Sequence, residues 1–265
     1  MADRREAAQV APKSWPVFLT LWATPRSIST AFEWMMRQRG DFECFHEPWN
    51  ELYYYGEDRR SQRDAHVEAR SGHTYAAFWS EITALAGQGN VFIKDFAYSV
   101  EHELDEAKLT AMTNTFLIRE PRRVIQGLGH HWPDCTWEEV GFESLHRLFG
   151  RIADRDGAPP PVIDAADLTG DPDGTIRAFC AAVGIEFIAE ALSWESGERT
   201  EVSWYGEGTG PWHDNLRRST GIAPPRTEYP PLAETPRLNE MYERSLPLYD
   251  AMAAHRLRPA PQQNH

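Results

Sequence analysis

The sequence is short of several features that usually classify a chain. Its three cysteines, Cys44, Cys135 and Cys180, are far apart and odd in number. Neither a disulfide framework nor a metal-ligand spacing is visible, so no metal is expected and a reducing, cytoplasmic compartment is. No run approaches the ~18 apolar residues that a membrane span needs. The opening stretch MADRREAAQVAPKS has no apolar core of the kind a secretory leader carries. Basic residues are outnumbered, 27 against 40 acidic ones, for a formal net charge of −13. That excess argues against nucleic acid or an anionic membrane as a partner, while leaving room for a local basic pocket. Glycine is missing from residues 24–36, TPRSISTAFEWMM, where a turn between a strand and a helix would most use it.

What is present reads as an ordinary soluble domain. Over 265 residues, 41% are hydrophobic and 25% charged, enough for a substantial core. Residues 1–14 read as disordered, 15–257 as one domain and 258–265 as a frayed tail. Apolar strands are expected at 15–24, 42–48, 90–97, 114–120 and 160–168. Helices are expected from Pro25 and Ser27 through about Arg39, then at 74–86, 102–112, 121–130, 138–154, 172–183 and 235–256. Residues 50–64 and 193–235 lack periodicity. Strand–helix alternation is the signature of an α/β fold, a central parallel sheet with helices on both faces. The irregular segment before the last helix is its least patterned part. The apolar last helix leaves monomer and homodimer both open.

Ligands of such sheets bind beyond the carboxyl ends of the strands. All five of those edges carry polar or charged residues: Thr24 to Thr30, His46 to Trp49, Lys94 and Asp95, Arg119 to Arg123, Asp164 to Asp167. At the first edge, the free N–H groups and positive dipole end of a helix meet Arg26 and the hydroxyls of Ser27, Ser29 and Thr30. One serine would cap a helix; a cation and three hydroxyls in five positions fit the oxygens of a phosphate or phosphosulfate. Ile28 contributes only its backbone N–H, and its branched side chain points to helix-compatible dihedrals.

The stretch is not a Walker A loop, which needs two glycines and a Lys-Ser/Thr pair. It resembles the phosphosulfate loop of the PAPS-dependent sulfotransferases, of the type PRSGST or PKSGTT. FHEPW at 45–49 is similar to the second-strand edge of the small bacterial members. FIKDFA at 92–97 and FLIREPRRVIQGL at 116–128 resemble the third and fourth strands. VIDAADLTGDPDGTIRAFCAAVGIEF at 162–187 is similar to the late strand, Asp-Pro turn and helix. The resemblance runs in order from about residue 16 to 187. It implies a P-loop-like three-layer fold and PAPS as co-substrate, with a small molecule as acceptor.

The resemblance also distributes roles. Arg26, with Ser27, Ser29, Thr30 and the Ile28 N–H, would hold the 5′-phosphosulfate. Arg119 would take the 3′-phosphate, its alternative being an ion pair with Glu120 or another acid. The family's serine eight positions beyond that arginine is here Gly127. The acceptor, a hydroxyl before an amine, needs a base: Glu47, with His46 as the competing choice. Neighbouring strand residues face opposite ways, so one of these two is expected in the pocket, and likewise one of Lys94 and Asp95, with Lys94 the candidate. Trp212, in a Gly-rich stretch at 206–221, would stack on the base or line the acceptor pocket. His130 and His131 are candidate substrate contacts, and residues 53–60, YYYGEDRR, read as a lid. A second reading keeps the anion cradle and drops PAPS, leaving acid–base chemistry of lyase or aldol type on an anionic small molecule. Ile28 and Gly127 motivate it. A third is a binding module without catalysis.

Overall fold

The structure is a computed structural model that describes residues 16–198, 200, 213–224, 229–232 and 235–259. The expected disordered start, Trp212 and the tail from residue 260 lie outside the described residues. In chain order the elements are β1 (Phe18–Ala23), α1 (Ser29–Arg39), β2 (Glu43–His46), α2 (Pro48–Tyr55), α3 (Tyr75–Ala86), β3 (Val91–Phe96), α4 (Ala97–Val100), α5 (Glu106–Ala111), β4 (Thr113–Ile118), α6 (Pro121–His131), α7 (Trp137–Val140), α8 (Phe142–Asp156), β5 (Val162–Asp164), α9 (Ala165–Gly170), α10 (Pro172–Val183), α11 (Asp214–Arg217) and α12 (Pro236–Ala253). The strands form one parallel sheet in the order β2-β3-β1-β4-β5.

Every residue of β1 and β3 is buried, as a parallel sheet covered on both faces requires. Alternation along β1 divides the core in two. Leu19, Leu21 and Ala23 pack with Phe32, Met35 and Met36 of α1 and Phe179 of α10. Phe18 and Trp22 face the other way, with Trp49 of α2, Leu128 of α6, Phe149 of α8 and Met252 of α12. Among the described residues, no helix is long and apolar enough to cross a membrane.

Four expectations change. First, α1 starts at Ser29 rather than at Pro25 or Ser27, because Arg26 and Ile28 adopt left-handed conformations, φ 61° and 65°. Ile28 therefore does not take the helix-compatible dihedrals that its branched side chain favours. Second, the stretch expected to be irregular from Asn50 begins inside α2. Pro48 sits at its first position, where a missing N–H costs nothing, and the Asp95 carboxylate accepts the Trp49 N–H at 2.7 Å. Tyr53 and Tyr54 are buried on this helix, so the tyrosines are core and not a lid. Third, the helix expected at 102–112 breaks where Asp105 caps α5 by accepting the Lys108 N–H, and the one at 138–154 divides at Gly141, φ 82°. Fourth, β5 stops at Asp164, whose carboxylate caps α9.

Trp22 ties the layers together. Its indole N–H donates to Asn114 at 2.9 Å, and its ring stacks on Trp49 at 5.5 Å. Trp22→Ala is expected to cost about 3–5 kcal/mol, read as a lower urea midpoint at unchanged slope. A loss under about 1 kcal/mol would contradict this reading of the core.

Candidate active site

β1 is the central strand, and its carboxyl end opens on a cavity of about 550 Å³. The turn after β1 supplies Pro25, Arg26 and Ile28, and the first turn of α1 supplies Ser29, Thr30 and Ala31. No acidic residue lies in that first turn and no side chain caps it, so the positive end of its dipole meets no local counter-charge; the Ala31 N–H is taken by the Ile28 carbonyl at 3.0 Å. Ser27 behaves differently from its neighbours. It is buried, absent from the cavity wall, and its hydroxyl donates to the Thr24 carbonyl at 2.7 Å. It shapes the turn rather than presenting a donor to a ligand.

Arg119, one residue past β4, also lines the cavity and donates to the Arg26 carbonyl at 2.7 Å. Burial, with the charges of Arg123 and Arg26, pulls its pKa down to about 10. The alternative Glu120 ion pair does not form, because Glu120 caps α6 by accepting the Arg122 and Arg123 N–H groups. Gly127 faces this turn from α6. A Cβ there would lie 3.3 Å from the Cβ and Cγ of Arg26. A side chain at this position would press on the Arg26 stem. His130 and His131 end α6 outside the cavity wall.

The other half of the cavity lies over β2 and β3. His46 pairs with Lys94 in the parallel register, and the Glu47 N–H donates to the Lys94 carbonyl at 2.8 Å. Glu47 then turns left-handed, φ 48°, and directs its carboxylate into the cavity. There Glu47 Oε1 pairs with Lys94 Nζ, and Oε2 accepts from Asn50 Nδ2 at 3.3 Å. Both charges are buried. Burial alone would raise the Glu47 pKa; the charges of Lys94 and His46 outweigh it and hold the carboxyl below its usual range.

His46 points away, as the alternation of side chains requires. Its Nδ1 is 2.6 Å from Glu33 of α1, and its Nε2 is 3.8 Å from Glu47 Oε1. It borders a second cavity behind β2, with Arg37 and His73, and is absent from the wall of the first. Lys94 and Asp95 separate in the same way. Lys94 reaches the cavity, whereas buried Asp95 binds the N–H groups of Trp49 and Phe96. Burial and the Glu47 charge push the Asp95 pKa up to about 8 against those donors.

Several wall residues escaped the sequence reading: Asn50, Phe96, Tyr98, Trp132 and His213. Phe96 and Tyr98 stack at 5.8 Å. His213 meets His46 edge-on at 5.3 Å, and burial with the His46 charge lowers its pKa to about 3. Its position next to Trp212 was the available signal. Among the described residues, no cluster of three or more His, Cys, Asp or Glu is placed to hold a metal ion.

A family model described as the sulfotransferase domain matches residues 18–256, which includes every wall residue of this cavity. The chain belongs to the sulfotransferase domain family. The sulfotransferase domain of the Synechococcus PCC 7002 olefin synthase superposes with a TM-score of 0.53 at 16% identity, over 91% of this chain and 98% of that one. At that identity the likeness is one of fold. Two Arabidopsis thaliana proteins also match, branched-chain-amino-acid aminotransferase-like proteins 1 and 2, at 27% and 25% identity over 91% and 88% of this chain. The sulfotransferase-family chain spans about two fifths of their length, 42% and 41%.

The Glu33–His46 pair gives a pH test. Burial opposes the charge on Glu33, but His46, Arg37 and Lys94 outweigh it and hold its pKa at about 2, against 4.5 for a free glutamate. The folded state then binds fewer protons than the unfolded one between these values. The stabilisation is complete above pH 4.5 and is lost as pH falls toward 2. Glu33→Gln is expected to flatten the acid limb of the melting-temperature profile. An unchanged limb would contradict the assignment.

Proposed function

We propose that the protein transfers a sulfuryl group from PAPS to a hydroxyl of a small-molecule acceptor, with an amine as second choice. The observation that carries this reading is the pairing of Lys94 with Glu47 in the same cavity as Arg26, Arg119 and the start of α1. The volume, about 550 Å³, is in the usual range for small-molecule sites.

In this reading Arg26, the N–H groups at Ile28 and Ser29, and the hydroxyls of Ser29 and Thr30 hold the 5′-phosphosulfate. Arg119 takes the 3′-phosphate. PAPS supplies the sulfuryl group. The acceptor oxygen forms a bond to sulfur, the bond from sulfur to the phosphate oxygen breaks, and its electron pair stays on the phosphate. The acceptor proton goes to Glu47. Sulfuryl transfer resembles phosphoryl transfer, where charge on the peripheral and leaving oxygens has to be stabilised. Lys94 serves both needs. While it pairs with Glu47 the carboxylate is a weak base. When an anionic group draws the ammonium away, the desolvated carboxylate becomes a stronger one.

The second reading keeps the cradle without the nucleotide. It is favoured by Ser27, whose hydroxyl is spent on Thr24, and by Gly127, which offers no side chain. The anion would then belong to the substrate, and Glu47 would act in lyase or aldol-type chemistry.

The experiment is a transfer assay with PAPS and a panel of phenols, alcohols and amines. Transfer by the wild type is expected, and Glu47→Gln is expected to lower turnover about 10²–10⁴-fold while binding of the product nucleotide PAP is kept or tightened, since Glu47 makes no contact with nucleotide in this reading and no longer competes for Lys94. Equal turnover by Glu47→Gln would remove the base. Turnover of an anionic substrate without PAPS would establish the second reading instead.

A further inference from the structure

Between α2 and α3 the chain runs from Gly56 to Thr74 outside any helix or strand of the sheet. Arg63 of this segment reaches inward. Arg63 donates from Nε and Nη2 to the two oxygens of Glu139, both at 2.7 Å. Its Nη1 meets the exposed Asp134 at 3.0 Å. The guanidinium lies over the Trp132 ring, 4.6 Å from the centroid, and Trp132 is part of the cavity wall.

Glu139 passes the connection on. It closes the capping box of α7 with Thr136 and also accepts from the Tyr54 hydroxyl at 3.2 Å. The Tyr54 hydroxyl oxygen lies 3.3 Å from that of Tyr98; Tyr54 gives its single proton to Glu139 and Tyr98 gives its own to Asn50, so this step is a packed contact between two oriented hydroxyls and not a hydrogen bond. Tyr98 donates to Asn50 Oδ1 at 2.9 Å, and Asn50 Nδ2 donates to Glu47 Oε2 at 3.3 Å. Four residues link Arg63 to Glu47, and Asn50, Tyr54, Tyr98 and Glu139 are all buried. A buried polar group left without its partner costs more than a bond gains, so each member has few alternative orientations.

We propose that Arg63 is a positioning residue for Glu47: through Glu139, Tyr54, Tyr98 and Asn50 it holds Glu47 Oε2 on one side of the carboxylate while Lys94 holds Oε1 on the other. The same guanidinium fixes Trp132, so one surface residue sets both the orientation of the base and the wall beside it. The bidentate bond and the ring contact use the planar fork of arginine, which lysine does not reproduce. This inference rests on Glu47 being the reacting carboxylate. Among the described residues, the charged and titratable groups that face Glu47 include Lys94 of β3, His46 of β2, Asp95 and His213; none of these belongs to the chain from Arg63.

The test follows the side-chain carboxyl ¹³C resonance of Glu47 at neutral pH, assigned by its loss in Glu47→Gln. Arg63→Gln and Glu139→Gln are each expected to move or split that resonance by more than its linewidth, with the backbone amide spectrum otherwise that of the folded wild type. Tyr98→Phe, which removes one oxygen from the middle of the chain, is expected to do the same. Asp134→Asn removes only the exposed arm of Arg63 and is expected to leave the resonance in place. If Arg63→Gln does not fold, Glu139→Gln and Tyr98→Phe decide. A Glu47 resonance unmoved in the folded variants overturns the proposal. The readout needs no nucleotide, so failure of PAPS to bind would count against the proposed reaction and leave this result standing.

Discussion

The ion pair between Lys94 and Glu47 is the constraint around which the site is arranged. Two buried charges are expensive to remove from water, and their attraction offsets that cost only where geometry and further hydrogen bonds are good. The register of β2 on β3 brings the residues together. Asp95 secures the start of α2 through the Trp49 N–H, and with it Asn50, which donates to the second oxygen of the carboxylate. Behind them, Glu33 and His46 form a second buried pair that ties α1 to β2. Backbone placement and side-chain bonding both converge on one carboxylate and one ammonium.

On the anion side, the absence of glycine has a structural counterpart. Positive φ at a branched residue costs roughly 1–2 kcal/mol, yet Ile28 takes φ 65° and Arg26 takes 61°. These two left-handed residues turn the Arg26 side chain toward α6, where Gly127 leaves room for its stem. The two departures from the sulfotransferase pattern, at Ile28 and at Gly127, belong to one arrangement. A serine at position 127 would press on the Arg26 stem, and Arg119 supports the turn through the Arg26 carbonyl.

The sheet was legible because its strands are continuous apolar runs separated by helical stretches; α10 falls at the expected residues 172–183. Arg26, Ser29, Thr30, Glu47 and Arg119 were legible as cavity-wall residues because each follows a strand end and the topology gathers those ends; Lys94 joins them from inside β3, opposite His46. What escaped was set by contacts distant in sequence. Asn50 and the tyrosines read as loop because the cap for α2 comes from Asp95, 45 residues away from Asn50. Ser27 looked like a ligand because nothing in the sequence shows that Thr24 takes its hydroxyl. The chain from Arg63 to Glu47 spans five segments and has no local pattern at all.

In the proposed reaction an anionic nucleotide engages the cradle and draws Lys94 from Glu47. The most direct measurement is a calorimetric titration with PAP of the wild type, Arg119→Ala and Lys94→Met. The account predicts wild-type binding tighter than about 1 mM, weakened at least about tenfold by Arg119→Ala, the ~1.4 kcal/mol that one charge-assisted contact to phosphate supplies. It predicts a weaker complex with Lys94→Met as well. Absence of binding heat in the wild type at millimolar PAP, or equal affinity in all three proteins, would contradict it.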